Sequence, residues 1–346
     1  MADLEDEVRR GLAASTAPVA QRRPGVVETA AQKGTLKKTK VGVVIAVTKE
    51  PKVGGYLDGG AVLANQVHTH LKNYPDVELI ALCGPDSGKW APESFKLVEK
   101  AGWKPLKVEL PVQVKDIGDE HGKYLKEELP KSGCCGPAEL IKLEAFRLTQ
   151  YERVIMLDTD TLILHNLDEL FEDKEHHAIW TVDRNLGGNC INGGWIVLTP
   201  MQTVYDELVA TVKKGDFREG SAWGGSNIGW CYGGQTFQGI IPYYFQKLHQ
   251  PEGAWREADS CIYNNMGDNT NHDGRKQDEV EPKEVKTFHF TVCQKPWDYC
   301  DFEGKPICMA LHKKWWAARW NLETKRGLPH SDRCDAGRYP PLRIYG

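Results

Sequence analysis

The segment Arg153-Val-Ile-Met-Leu-Asp-Thr-Asp-Thr-Leu-Ile-Leu164 decides how the chain is read. Four apolar residues, Val154 to Leu157, run into Asp158 and Asp160, after which the chain turns apolar again. A short unbroken apolar run predicts a strand buried on both faces, as in a largely parallel sheet. In extended geometry the two aspartates project to the same side, with their carboxylates roughly 6–7 Å apart. Two like charges at the end of a buried strand repel and lose hydration unless a cation lies between them. A divalent metal with hard oxygen ligands would satisfy both. The plainer alternative is a strand end that meets water, with Thr159 supplying a turn. The choice rests on whether the rest of the chain supplies partners for a metal.

Working outward, the N-terminal half alternates strand and helix. Val41 to Thr48 reads as a buried strand, followed by a loop with Pro51, Gly54, Gly55 and Tyr56 and a helical pattern from Ala61 to about Leu71. A strand at Glu78–Cys83, a helix near Pro92–Ala101 and a strand near Leu106–Val114 follow. From Ala138 to Tyr151, Ile141, Ala145, Leu148 and Tyr151 keep helical spacing, with Lys142 and Arg147 off that stripe. This order predicts an α/β fold with a mixed, mostly parallel Rossmann-like sheet and helices on both faces. Asp158 and Asp160 then lie at the carboxyl end of a sheet strand, where such sheets bind ligands. Neither Gly-x-Gly-x-x-Gly nor a P-loop is present, so a dinucleotide or P-loop site is not favoured.

Downstream, Asn166–Phe171 predicts a helical turn and Ala178–Val182 a strand ending at Asp183. Asn192-Gly193-Gly194 leads into a strand at Trp195–Leu198, and residues 201–213 predict a helix. The Gly- and Trp-rich residues 215–235 predict a long covering loop. Residues 264–284, polar and charged, predict a surface insertion, and Val285–Phe290 a late strand carrying His289. A tryptophan-rich helix is expected over residues 310–320. Residues 1–39 predict a flexible tail, in which Leu4, Val8 and Leu12 could mark a short helix, 40–322 one domain, and 323–346 an irregular tail.

Composition excludes several classes. A net charge of -4 over 346 residues, with 27% charged and 40% hydrophobic residues, describes an ordinary globular chain. It lacks the basic excess of a nucleic-acid binder. No window is apolar enough for a membrane span, and Met1–Glu7 is acidic with no apolar segment, so a cytoplasmic protein is expected. Its ten cysteines are then expected to be mostly reduced thiols. Cys134-Cys135 is no Cys-x-x-Cys motif, and Cys293, Cys300, Cys308 and Cys334 are too irregularly spaced to argue for a structural zinc.

Four segments carry a resemblance. They are I-K-L-E-A-F-R-L-T-Q-Y-E-R-V-I-M-L-D-T-D-T-L-I-L-H-N-L-D-E-L-F (141–171), N-G-G-W-I-V-L-T-P (192–200), Q-G-I-I-P-Y-Y-F (238–245) and H-F-T-V-C-Q-K-P-W (289–297). In this order they resemble glycosyltransferase family 8, its glycogenin-like branch above all, over residues 41 to 320. The resemblance implies a GT-A fold and a retaining transfer from a UDP-sugar (UDP-glucose, UDP-galactose or UDP-glucuronate) with Mn²⁺ or Mg²⁺. A protein or glycan would be the acceptor, and a homodimer is admitted.

By position, Asp158, Asp160 and His289 would hold the metal, and Lys295 would neutralise the leaving diphosphate. Thr48, Tyr56 and Thr159 would belong to the nucleotide side. Lys142, Asp183, Asn192 and Gly193 would line the sugar pocket. Gln238 would sit near the anomeric carbon, and because an amide is a poor nucleophile, a same-face transfer is implied. Phe237 stands where the family usually has an aspartate, and Val292 where it usually has a glycine. Asp216, Asp259 and Asp268 are candidates to replace that acid. A catalytically silent scaffold on the same fold is the first alternative. A self-glucosylating primer, with Tyr232, Tyr243, Tyr244 or Tyr263 as acceptor, is the second.

Overall fold

A computed structural model describes residues 40–249, 254–331 and 337–346. The expected N-terminal tail and its short helix lie outside the described residues. Strands are β1 (Val41–Val47), β2 (Glu78–Cys83), β3 (Lys104–Lys107), β4 (Arg153–Leu157), β5 (Thr161–Ile163), β6 (Ala178–Val182) and β7 (Ile191–Leu198). Later come the short β8 (Phe217–Arg218), β9 (Ala222–Trp223), β10 (Trp255–Glu257), β11 (Tyr263–Asn265) and β12 (Thr287–His289). Helices are α1 (Tyr56–His70), α2 (Pro92–Lys100), α3 (Asp119–Glu128), α4 (Asp168–Glu172), α5 (Gln202–Lys214), α6 (Phe237–Tyr243) and α7 (Pro306–Lys325).

The main sheet has seven strands in the order β10-β6-β7-β4-β1-β2-β3. Its pairs are parallel except at β7, which runs antiparallel to both β4 and β6. The apolar runs explain why it is covered on both sides. Along β4, Ile155 and Leu157 enter one core while Val154 and Met156 enter the other, and β1 splits likewise, with Val43 and Ile45 opposite Val44. Each such fully buried side chain contributes roughly 1.5–3 kcal/mol of apolar transfer. The fold is GT-A, an α/β architecture with a mostly parallel sheet.

Four expectations need correction. The strand near Leu106–Val114 shrinks to β3, because Val108 and Val112 turn into the core instead of continuing the ladder. The helix at 138–151 is a 3₁₀ segment, Gly136–Arg147, in which Lys142 is buried. Residues 264–284 are no surface insertion: Asn264, Asn265, Asn269, Asn271 and Gln277 are buried. Their polarity is consumed internally, as when Gln277 Nε2 donates to the Ser260 carbonyl at 2.7 Å and its Oε1 accepts from Met266 N at 2.8 Å. The thiols are not mostly reduced either. The fold brings Cys190 to Cys231 and Cys293 to Cys308 as disulfides, and Cys300 is also disulfide-bonded. Separations of 41 and 15 residues gave no sequence cue to those pairs. At the C-terminus, Leu342 and Tyr345 are buried, and Leu342 N donates to Asp58 Oδ2 at 3.0 Å.

Candidate active site

The chain leaves the main sheet at Asp158. β4 ends at Leu157, Asp158-Thr159-Asp160 forms a turn, and Thr161 begins β5 in a separate three-stranded sheet of order β11-β12-β5. In that sheet β12 runs antiparallel to β5, with His289 opposite Thr161. Phe290 N donates to the Asp160 carbonyl at 2.9 Å, fixing His289 beside the turn. On the other side, Asp158 N donates to the Gly194 carbonyl at 2.9 Å, continuing the β4–β7 ladder. Strand register alone therefore brings three distant segments together.

The turn changes the carboxylate spacing. Ligand atoms of Asp158, Asp160 and His289 all lie within 4.8 Å of one another, closer than the extended estimate. His289 Nε2 is 3.2 Å from Asp160 Oδ1 and 4.0 Å from Asp158 Oδ2. Its other nitrogen, Nδ1, faces Asn264 Oδ1 at 3.2 Å, while Asn264 Nδ2 donates to Thr181 Oγ1 at 2.8 Å. That arrangement gives the Nδ1 proton an acceptor, so that Nε2, on the side of the carboxylates, would be the nitrogen to bind a metal. The donor set, two carboxylates and one imidazole, fits Mn²⁺ or Mg²⁺. The space is also guarded: a Cβ on Gly194 would come within 2.4 Å of His289 Cε1 and 2.7 Å of Asp158 Oδ2. Gly59 does the same behind the turn, where a Cβ would approach the Thr159 carbonyl to 2.5 Å.

Two lysines flank the acids. Lys142 Nζ lies 2.9 Å from Glu139 Oε2, 3.0 Å from Asp158 Oδ1 and 3.0 Å from the Gly193 carbonyl. Lys295 pairs with Asp160 Oδ2 and donates to the Phe290 carbonyl. The two aspartates consequently titrate in opposite directions. Burial pushes Asp158 up, with Lys142 opposing it only in part. Burial acts on Asp160 too, but His289 and Lys295 together outweigh it and hold that carboxyl well below its ordinary range. Burial disfavours the Lys142 charge, yet Asp158 and Glu139 overcome this and keep it protonated.

Eleven of the twelve residues singled out in the sequence line one cavity of about 1220 Å³: Thr48, Tyr56, Lys142, Asp158, Thr159, Asp160, Asp183, Asn192, Gln238, His289 and Lys295. Gly193 is set behind it, donating its N–H to Gln238 Oε1 at 2.9 Å. Tyr56, 59% exposed, packs edge-on against Trp297 with ring centroids 5.3 Å apart. Asn192 Oδ1 accepts from Gly194 N at 3.0 Å. Asp183 is buried at the end of β6, and burial raises its carboxyl despite hydrogen bonds from Asn185, Leu186 and Asn192. Phe237 is fully buried in the core, so that position contributes nothing to the cavity wall. Of the three substitute acids, Asp268 reaches the cavity and pairs with Lys305 at 2.6 Å, whereas Asp216 and Asp259 are bound to Arg218 and Arg275 elsewhere. Val292, 43% exposed, does line the cavity. Trp223 is core packing, while Tyr232 lies on the wall.

Two functional neighbours escaped the sequence. Glu139 was legible in principle, sitting three residues before Lys142 on a helical segment. Asn264 had no signal, because only the pairing of β11 with β12 brings it to His289.

No family model matches the chain. Glycogenin-1 of Mus musculus is 28% identical over 237 residues, covering 63% of this chain and 60% of its own length. Glycogenin-1 of Homo sapiens is 27% identical over 234 residues, covering 63% and 57%. A putative UDP-glucuronate:xylan alpha-glucuronosyltransferase 5 of Arabidopsis thaliana is 26% identical over 186 residues, covering 51% and 27%. The chain thus spans less than two thirds of the relatives it matches. Among solved structures, the WbbM bifunctional glycosyltransferase in apo form superposes with a TM-score of 0.50 at 14% identity, covering 85% of this chain and 52% of that one. These likenesses support a glycogenin-like glycosyltransferase of family 8.

Proposed function

We propose that the chain transfers a hexose from a UDP-sugar to an acceptor hydroxyl, with retention of configuration and with a divalent metal. One observation carries this reading. Asp158, Asp160 and His289 converge from two sheets at the floor of a cavity that also holds Lys142 and Lys295. Three metal-type donors flanked by two cations suit a diphosphate, whose negative charge grows as the nucleotide departs. Asp158, Asp160 and His289 would hold Mn²⁺ or Mg²⁺, which when bound supplies charge neutralisation and orientation to that diphosphate.

Lys295, reaching the cavity beside Tyr56, supplies positive charge to the leaving group. Lys142 is locked by three acceptors and fixes Asp158 and the Gly193 carbonyl in place. The Gln238 amide is engaged at both ends, Oε1 accepting from Gly193 N and Nε2 donating to the Tyr232 carbonyl at 2.8 Å. So held, it orients the sugar by hydrogen bonding and is a poor nucleophile, which favours same-face transfer over a covalent intermediate. Asp183 and Asn192 accept from sugar hydroxyls on the same wall. UDP-glucose, UDP-galactose and UDP-glucuronate are the donors of choice. The disulfides favour an oxidising compartment for this transfer over the cytoplasm.

UDP release is measured with these donors and Mn²⁺ or Mg²⁺. Asp160→Asn is expected to lower it by about 10²–10³-fold. Calorimetry showing no donor binding with or without metal would leave a silent scaffold as the function. One observation favours a self-modifying variant of the same chemistry. Tyr232, 62% exposed, lies on the cavity wall and its carbonyl holds Gln238, whereas Tyr244 is buried. Intact-mass analysis after donor incubation separates transfer to Tyr232 from transfer to another molecule.

A further inference from the structure

A second cluster of ligating side chains lies on the wall of the same cavity, and its two thiols take no part in the transfer described above. Cys134 and Cys135 follow Gly133 and precede Gly136, both glycines at positive φ (62° and 55°). A Cβ on Gly136 would meet the Pro130 carbonyl at 2.9 Å, so the chain folds back tightly there. This turn points both thiols the same way: Cys134 Sγ and Cys135 Sγ are 2.9 Å apart. Glu139 closes the third corner, its Oε1 3.2 Å from Cys134 Sγ, and Thr48 Oγ1 donates to Cys135 Sγ at 3.5 Å. One ligand atom from each of Cys134, Cys135 and Glu139 falls within 4.8 Å of the other two.

We propose that Cys134, Cys135 and Glu139 form a second ion site, selective for a thiophilic divalent ion of the zinc or cadmium class. Two sulfurs and one carboxylate oxygen are a soft donor set, unlike the two carboxylates and imidazole of Asp158, Asp160 and His289. A small side-chain rotation opens the sulfur gap to the roughly 3.8 Å expected for two thiolates on one tetrahedral ion. The pair remains as thiols in a chain where Cys190–Cys231 and Cys293–Cys308 are joined. Binding of the ion would displace the thiol protons: the hydrogen bond between the two lowers the Cys135 thiol and raises that of Cys134. Glu139 is already ionised, held low chiefly against its burial by Lys142. Through Oε2 it also touches Lys142, which touches Asp158, so the soft site adjoins the proposed donor site without sharing a ligand.

The test does not depend on transferase activity. Alkylation mapping first confirms that Cys134 and Cys135 are both thiols in the purified chain. With Mn²⁺ in excess to occupy hard oxygen sites, Cd²⁺ is titrated while thiolate-to-cadmium charge-transfer absorption is recorded. The wild type is expected to saturate at one equivalent, and Zn²⁺ to displace the absorption. Cys134→Ser, at an exposed position, and Glu139→Gln should each weaken Cd²⁺ binding by about tenfold or more. Cys134→Ser combined with Cys135→Ser should abolish the band. Absence of the band in the wild type overturns the proposal. So does its survival in the double variant, which would assign it to Cys83 or Cys261, or mapping that finds Cys134 joined to Cys135.

Discussion

The two sides of the cavity are held by different means. On the metal side, every group rides on a strand end whose register is fixed: Asp158 continues β4 against β7, Asp160 precedes β5, and His289 ends β12 opposite Thr161. On the sugar side, Gln238 depends on Gly193 N and on the Tyr232 carbonyl, and Asp183 on the loop to Cys190, whose carbonyl accepts Asp183 N at 3.1 Å. The Cys190–Cys231 disulfide ties those two loops together. A side built on sheet register admits few changes short of replacing a ligand. One built on tied loops can be retuned, which is where a choice between sugars is most easily altered.

The largest effect that bears on this contrast comes from Asn264. If sheet register positions His289 and Asn264 only orients its ring, Asn264→Ala should weaken metal binding by about 10–100-fold without unfolding the chain. Mn²⁺ calorimetry measures it, and an unchanged affinity would mean that β12 alone fixes the imidazole. Thr181→Val, which removes the partner of Asn264 Nδ2, should act in the same direction but less.

Next in size is the disulfide. Cys190→Ser with Cys231→Ser should lower stability by about 2–4 kcal/mol in urea unfolding. It should also raise the donor KM while metal affinity holds. Equal losses in both would show that the sides are not separately supported, and the contrast would fail.

The same contrast explains what was legible. β1, β2 and β4 could be read nearly to the residue because they are buried on both faces and spell themselves as apolar runs. Asp158 and Asp160 stood out as charges abutting such a run, and His289 and Lys295 through their motif. In the sequence a turn at Thr159 reads as the alternative to a metal pair, yet it is what draws the two carboxylates together. Supports were harder to see. Asn264 and Gln277 looked like surface because polarity is the same letter whether its partner is water or a buried amide. Lys142 looked like a helix's polar side, although it is buried among three acceptors. The sulfur pairs depend on contacts across 41 and 15 residues, which no local pattern encodes.

The smallest predicted effect concerns pH and again separates the sides. Asp160 on the metal side is held below its unfolded value, 3.8, so the folded chain binds fewer protons than the unfolded one. Its contribution is present above 3.8 and is lost as pH falls through the folded value. Asp183 on the sugar side is raised, mainly by burial, so the folded chain there binds protons more readily. Its contribution is present below 3.8 and disappears as pH rises through the raised value, leaving a buried charge as a cost at neutrality. Asp183→Asn keeps an oxygen to accept from Asn185 and Leu186 but cannot ionise. The stability gap between this variant and the wild type should therefore shift in favour of asparagine as pH is raised from about 4 to 7, read as urea midpoints at fixed ionic strength. Asp160→Asn should shift the opposite way over the acid limb. A gap for Asp183→Asn that is flat with pH would show that burial does not raise its carboxyl, removing the sugar-side half of the electrostatic contrast.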